Sequence, residues 1–286
     1  MTPTDHTSPA PTASASLSPT ARPWLFLSLL AAALAVVGNV VALSVDRIYE
    51  NLTDVFLPQA LAQDIVDLAL VAPLLVVTAA LALRGSLRAY LVWLGALTFT
   101  VYNYVIYVVA IDFGPLFLLW VAVLGLALFC LIGGVGAADY AAVKARFAHP
   151  RAIKVTAWVL IVVAGLFALL WLSEDVPALL SGETPKTIAD MDVLTNPVHV
   201  LDLAFFLPAA VLVGVWLLRG RPFAYVAAPA LVVFLILTGV PIIVTPVVQA
   251  VRGETATWGI LAPIGTLTAL LTALLVWLLA REGQTD

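Results

Sequence analysis

Charged residues are scarce in this chain. Only 10% of its 286 residues are Asp, Glu, Lys or Arg, whereas 63% are hydrophobic. A soluble protein of this length needs a far more polar surface, and the long apolar runs exceed the ~18 residues that mark a membrane-spanning helix. The ~10-residue alternating segments of a membrane β-barrel are absent, and the net charge of −4 gives no basis for binding nucleic acid. The composition indicates an all-α polytopic protein whose main partner is the lipid bilayer.

Cysteine and the common catalytic motifs are also missing. Cys130 is the only cysteine, which excludes a disulfide within the chain and disfavours a cysteine-based zinc or iron–sulfur site. The sequence contains no GxxxxGK[ST], HExxH or GxSxG motif, and no GxGxxG opens a helix. No lysine lies well inside an apolar run. These absences argue against an ATP-driven pump, a multi-histidine membrane hydrolase and a retinal protein.

Eight apolar runs predict eight membrane-spanning helices, in two halves at residues 23–140 and 141–286. Residues 1–22 are rich in Ser, Thr, Pro and Ala, which predicts a disordered cytoplasmic tail. The predicted spans cover residues 24–45, 64–83, 89–110, 114–135, 153–172, 199–218, 223–248 and 258–280.

Lysine and arginine are distributed unequally between the two sides of this eight-span arrangement. Arg47, Lys186 and Arg252 fall on one side, and the other ten of the 13 basic residues fall on the opposite side. Cytoplasmic connections carry the excess of positive charge. The distribution therefore predicts a multi-pass plasma-membrane protein with both termini in the cytoplasm.

An internal repeat is visible in the centre of each half. Residues 64–90 align without gaps on residues 199–225, and ten of 27 positions are identical. Apolar identities are common by chance in such a sequence, but five scarce residue types also match. The matched pairs are Asp67 and Asp202, Pro73 and Pro208, Arg84 and Arg219, Gly85 and Gly220, and Tyr90 and Tyr225. A repeat of four spans keeps its direction through the bilayer, so the sequence predicts two parallel four-helix repeats.

The repeat places ionisable residues at matched positions. Asp64 corresponds to His199 and Asp67 to Asp202, and the i, i+3 spacing puts each pair on one helix face. If the second and sixth spans face each other, three carboxylates and an imidazole converge near the external face. Such a group could hold a cation or relay protons. A tightly held metal is disfavoured, because His199 is the only one of three histidines near this site.

A structural interpretation of these residues stays open. Carboxylates in the first turn of a helix are stabilised by its macrodipole. Asn196 followed by Pro197 is typical of an N-cap with proline at the first helical position. Asp202 would already lie in the second turn, where the effect of the terminus fades, so it needs another partner.

The third and seventh spans add polar and helix-bending residues. Asn103 and Tyr104 lie at the predicted depth of the aspartates and are expected on the wall of the site, although tyrosines are also typical of an interfacial aromatic belt. Pro241 and Pro246 each remove a backbone donor, which predicts a bent or broken seventh helix. Helices interrupted in this way often line transport sites.

Three segments carry a resemblance to other proteins. The sequences "LTNPVHVLDLAFFLP", "QDIVDLALVAPLL" and "VYNYVIYVVAIDFGPLFLL" resemble a loosely defined group of bacterial multi-span membrane proteins of unassigned function. The similarity extends over the first seven spans. It implies a bacterial membrane protein and carries no implication for its chemistry.

Three functions are compatible with these patterns. The first is a transporter or permease for an ion or small solute, with a polar site formed by Asp64, Asp67, His199, Asp202, Asn103 and Tyr104. The second is a membrane-embedded enzyme, or a cofactor- or metal-binding subunit, that uses the carboxylates and His199. The third is a structural or signalling component in which the polar residues only join helices. The sequence identifies no substrate, cofactor or catalytic residue.

Overall fold

Eight helices of the computed structural model are long and apolar enough to cross a membrane, which confirms the predicted number of spans. The structure describes residues 19–147 and 149–280, and their regular elements are helices. The spans are α1 Arg22–Ser44, α2 Leu57–Leu83, α3 Leu87–Ala110, α4 Phe117–Ala137, α5 Pro150–Ser181, α6 Pro197–Leu218, α7 Ala224–Val251 and α8 Trp258–Leu279. Short helices at Asp46–Ile48, Tyr140–Arg146 and Lys186–Met191 lie in the connections. The chain is an all-helical, polytopic membrane protein.

The first helix begins earlier than the predicted end of the N-terminal tail. A 3₁₀ turn at Pro19–Ala21 leads directly into α1 at Arg22. Pro23 lies in the first turn of α1, where its fixed φ angle suits a helix start. Residues 1–18 of the predicted tail lie outside the described residues.

The helix α5 is longer than its apolar run. It continues to Ser181, so Glu174 and Asp175 are helical residues and not the loop residues that hydropathy predicted. The helix ends at Gly182, whose φ of +74° gives the left-handed conformation of a C-cap. The cap, and not the end of the apolar run, determines where the backbone hydrogen bonds stop.

The helix α2 also begins earlier than predicted. It starts at Leu57, with Pro58 in its first turn, so Asp64 lies about two turns inside the helix. The first-turn interpretation of Asp64 and Asp67 is therefore wrong. In α6 the predicted start is correct, because the Asn196 side chain caps the helix and Pro197 is its first residue.

The two halves of the chain have the same internal packing. In the first half α1 packs on α2, α2 on α3, α3 on α4 and α4 on α1. In the second half α5 packs on α6, α6 on α7, α7 on α8 and α8 on α5. Each half is thus a closed group of four helices.

The halves meet through α3 and α7. These two helices pack directly on each other. In addition, α7 contacts α2 of the first half, and α3 contacts α6 of the second half. A Cβ atom added to Gly95 of α3 would lie 2.4 Å from Val233 Cβ and 2.7 Å from the Ala230 carbonyl oxygen of α7. The close approach of the halves therefore depends on this glycine. Direct packing of α2 on α6, the condition under which the four ionisable residues would converge, is not among the main helix contacts of the described residues.

The local backbone of α2 and α6 matches at corresponding positions. Each helix contains a π-helical turn, at Asp67–Val71 and at Asp202–Phe206. A proline follows each turn, Pro73 and Pro208, and the wider turn makes room for a ring that would clash in a regular α-helix. Gly85 and Gly220 both adopt positive φ just after the helices end. These matches support the predicted repeat, and the superposition of the two halves stays a prediction.

The helix α7 is continuous, so of the predicted bend or break the break is wrong. It runs from Ala224 to Val251 with Pro229, Pro241 and Pro246 inside it. Neighbouring helices cover this segment on several sides, since α7 contacts α2, α3, α6 and α8. Tertiary packing holds the helix together although three backbone donors are missing.

Candidate functional site

The carboxylate of Asp64 is fully buried inside the helix bundle. Tyr49, in the connection before α2, donates a hydrogen bond of 2.7 Å to Oδ2 of Asp64. Tyr107 of α3 donates another, also 2.7 Å, to Oδ1. Burial and the Asp64 carboxylate raise the pKa of Tyr49 above its usual range, so the phenol stays a neutral donor. Both oxygens of Asp64 therefore have a donor.

Asp67 lies one turn further along α2, at the start of the π-helical turn. It is 3% exposed. Gln63 donates to Oδ1 at 2.9 Å, and Asn103 of α3 donates to Oδ2 at 2.7 Å. We call Tyr49, Gln63, Asp64, Asp67, Asn103 and Tyr107 the first network. None of the donors to its two carboxylates is a cation.

Two further polar side chains next to the first network have no hydrogen bond. The Tyr104 hydroxyl and the Asn39 amide face each other and are buried, and neither completes a hydrogen bond with any of the described residues. The Tyr104 ring packs against Tyr107, with ring centroids 5.4 Å apart. Unpartnered buried polar groups are uncommon and call for an explanation, such as a bound ion or water.

The second half holds a different arrangement around Asp202. Trp171 of α5 donates its indole N–H to Oδ2 of Asp202 at 2.9 Å. The Tyr102 hydroxyl of α3 faces the same carboxylate but completes no hydrogen bond. The His199 ring stacks on Trp171 at a centroid distance of 4.4 Å, and its Nδ1 lies 2.9 Å from Oδ1 of Asp175. We call Tyr102, Trp171, Asp175, His199 and Asp202 the second network.

The connection between α5 and α6 fixes the position of the second network. Glu174 accepts hydrogen bonds from the backbone N–H and the hydroxyl of Thr187, at 3.0 and 2.7 Å. Asn196 accepts from the N–H groups of Val198 and His199 and donates to the Thr187 hydroxyl at 3.3 Å. The predicted N-cap is thereby confirmed, and the cap holds the first turn of α6 against the end of α5.

Both networks reach one cavity of ≈ 220 Å³ between the two halves. Gln63, Asn103 and Tyr107 line it from the first network, and Tyr102, Trp171 and Asp202 line it from the second. The remaining wall is mostly apolar and aromatic, with residues of α7 and α8 along one side. The lining contains one carboxylate, that of Asp202, and among the described residues no Lys, Arg or His. A mostly apolar cavity with a few polar groups is the usual form of a small-molecule site.

The structure distributes the six predicted site residues over three places. Asp64, Asp67 and Asn103 share the first network, and His199 and Asp202 share the second. Only Asn103 and Asp202 line the cavity, and Tyr104 lies behind the first network, beside Asn39. Tyr104 is therefore not on the cavity wall that the sequence predicted for it.

Several residues of the site were missed by sequence reasoning. Tyr49 lies in a connection, and Tyr102 and Trp171 read as ordinary membrane aromatics, so no spacing marks them. Tyr107 follows Asn103 by one helical turn, and that shared face was the one available indication. Within residues 19–147 and 149–280, no three His, Cys, Asp or Glu side chains gather in an arrangement that could hold a metal ion.

Comparison of the chain with protein-family models, with curated proteins and with solved structures gives no match. The resemblance to bacterial multi-span proteins therefore stays a prediction.

Proposed function

We propose that the chain is a plasma-membrane transporter for a small solute, which binds in the cavity between the two halves. The cavity itself carries this proposal, because it lies at the junction of two four-helix groups and both polar networks open onto it. Binding sites at the interface of structural repeats are typical of secondary transporters. The proline-rich α7 lines one wall, and Pro241 and Pro246 leave two of its carbonyls without their helical donors.

The first network supports a further part of this proposal, that transport of the solute is coupled to an ion. Asp64 and Asp67 are close in the helix and buried, and all four donors to them are neutral. Two buried carboxylates without a cationic partner require a bound proton or a cation. Tyr104 and Asn39 offer further unpartnered oxygen atoms beside them. We assign this network to the coupling ion and the cavity to the solute.

Access to the cavity tests transport without knowledge of the substrate. Cys130 is the only cysteine, so Cys130→Ala gives a cysteine-free background. Thr238 lines the cavity, and Thr238→Cys in that background is treated with an impermeant thiol reagent in right-side-out and inside-out vesicles. A transporter alternates its opening, so we expect labelling from both sides. Labelling from one side only, or from neither, contradicts transport.

Two control positions make the same experiment report orientation. Cysteines at Lys186 and Lys144 lie in the short helices on opposite sides of the predicted topology. We expect Lys186→Cys to react only from outside and Lys144→Cys only from the cytoplasm. The reverse pattern would show that the termini are external.

One observation favours a second candidate, a subunit that holds a metal or haem. The Nε2 atom of His199 is buried without a hydrogen bond, while its Nδ1 is held by Asp175. A carboxylate on one ring nitrogen commonly orients a histidine whose other nitrogen binds a metal. This candidate predicts a metal or haem that copurifies with the protein and is lost in His199→Gln.

A further inference from the structure

We infer that the solute of the central cavity is a small organic cation, a substituted ammonium with a compact apolar body. The inference rests on the proposed function and names the class of solute. Asp202 supplies the negative charge, and the aromatic rings around it supply the surface for the ammonium substituents.

Charge is the first argument. Asp202 is the one carboxylate on the cavity wall, and no basic residue among the described lining balances it. His199, an ionisable neighbour on the same helix, directs its Nδ1 to Asp175 and not to Asp202. Among the described residues, Asp202 accepts a hydrogen bond from Trp171, and the Tyr102 hydroxyl faces the carboxylate without completing a second one. A cation in the cavity would neutralise a charge that is otherwise costly to bury.

The aromatic wall is the second argument. Phe206 and Phe234 stack with centroids 4.5 Å apart, and the Tyr102 ring packs edge-on against both at 5.0 and 5.2 Å. All three line the cavity together with Trp171. The negative faces of aromatic rings attract substituted ammonium groups, and desolvated sites strengthen the attraction. An anion would be repelled by the Asp202 carboxylate on the same wall.

An unpartnered hydroxyl is the third argument. The Tyr102 hydroxyl is buried in the cavity wall, faces Asp202 and completes no hydrogen bond among the described residues. Its oxygen can accept a hydrogen bond from an ammonium N–H, whereas a purely apolar occupant would leave it without one. This hydroxyl therefore favours an ammonium compound that carries an N–H over a lipid chain as the occupant.

Cavity size limits the ligand. An engineered protein cavity of about 150 Å³ binds benzene, so the ≈ 220 Å³ available here suits a ligand of roughly nine non-hydrogen atoms by simple proportion. A benzyl- or alkyl-substituted ammonium is of this order, whereas a phospholipid is far larger.

Binding is tested on the full chain purified in detergent, with three probes that share a benzyl group. Benzylammonium is the cation, benzyl alcohol is the neutral compound and phenylacetate is the anion. Calorimetry or radioligand competition measures each affinity. We expect saturable binding of benzylammonium, weaker binding of benzyl alcohol and none of phenylacetate.

Three variants and one control assign the binding to the cavity. Asp202→Asn keeps the shape and removes the charge, so the cation should bind roughly 30-fold more weakly or worse. Phe234→Leu should weaken the cation about threefold or more and leave benzyl alcohol nearly unchanged. Tyr102→Phe tests the free hydroxyl with little risk to folding. Asp112→Asn removes an exposed carboxylate from the connection between α3 and α4 and should bind the cation like the wild type.

The outcomes separate this inference from the transport proposal. If benzyl alcohol binds as tightly as the cation and Asp202→Asn has no effect, the ligand is neutral and the inference is wrong. If no cation binds while Thr238→Cys is labelled from both sides, the inference fails and transport stands. If the cation binds but Thr238→Cys is labelled from one side only, the cation site stands and transport fails. Should Asp202→Asn not fold, Phe234→Leu and Tyr102→Phe decide.

Discussion

The two halves of the chain carry an aspartate at the same position of the predicted repeat, Asp67 and Asp202, but the two side chains have different surroundings. In the first half both oxygens of Asp67 accept hydrogen bonds, from Gln63 and Asn103. In the second half Asp202 begins the same kind of π-helical turn, but it accepts one hydrogen bond, from Trp171, and lines the cavity. A π-helical turn at the same position therefore does not give the two aspartates the same role. The residues around each carboxylate decide whether both of its oxygens are hydrogen-bonded, as in Asp67, or whether it lies on the cavity wall, as in Asp202.

The largest expected difference between the halves is in stability. Asp64→Ala leaves two buried phenols, Tyr49 and Tyr107, without an acceptor, so the free energy of unfolding should fall by about 3 kcal/mol or more. Asp202→Ala leaves one donor, Trp171, beside a cavity, so the loss should be about 1–2 kcal/mol. Unfolding in mixed detergent micelles measures both. Equal losses would mean that the two networks do not differ in this way.

The junction of the halves should be nearly as sensitive. Gly95→Ala places a methyl group against Val233 and the Ala230 carbonyl of α7, and such overpacking should cost about 1–3 kcal/mol. Gly125→Ala in α4 is the matched control, because nothing lies within 4 Å of its added Cβ. Thermal unfolding should separate the two variants. A neutral Gly95→Ala would show that the halves can move apart without loss.

The start of α6 should show a smaller effect. Asn196→Ala removes the N-cap and its bond to Thr187, so we expect a loss of about 1 kcal/mol. Asn51→Ala, at an exposed asparagine before α2, should change the unfolding free energy much less. A similar loss in both variants would argue that the cap contributes nothing specific.

The smallest effects compare two tyrosines near the first network. Tyr49→Phe removes a hydrogen bond to Asp64 and should cost about 1 kcal/mol. Tyr104→Phe removes a buried hydroxyl that has no partner, so stability should stay the same or rise slightly. Chemical unfolding of both variants measures the sign of each change in unfolding free energy. A clear loss in Tyr104→Phe would contradict this expectation and indicate that its hydroxyl has a bound partner.

Sequence reasoning was most accurate where one local pattern decides the outcome. Hydropathy gave eight spans, and the Asn196-Pro197 pair gave the start of α6, because length, burial and capping are local properties. It failed at the end of α5, where Gly182 and not hydropathy stops the helix. It also allowed a break in α7, where packing preserves a continuous helix through three prolines.

The candidate site was predictable only in part. The sequence marked Asp64, Asp67, Asn103, His199 and Asp202 because charged and amide groups are expensive in a bilayer and therefore need partners. It did not indicate which partners they find. Tyr49 lies 15 residues before Asp64 and Trp171 lies 31 residues before Asp202, so no helical spacing connects them.

The sequence by itself determined that this is an all-helical membrane protein with eight spans, since apolar length and scarce charge leave a bilayer no other solution. It also identified the polar residues that need partners inside a bilayer. Only the tertiary structure decided that α3 and α7 join the halves, that the four ionisable residues divide between two networks, and that both networks open onto one cavity. Contacts of this kind depend on which helix faces meet, and many packings satisfy the same hydrophobic pattern.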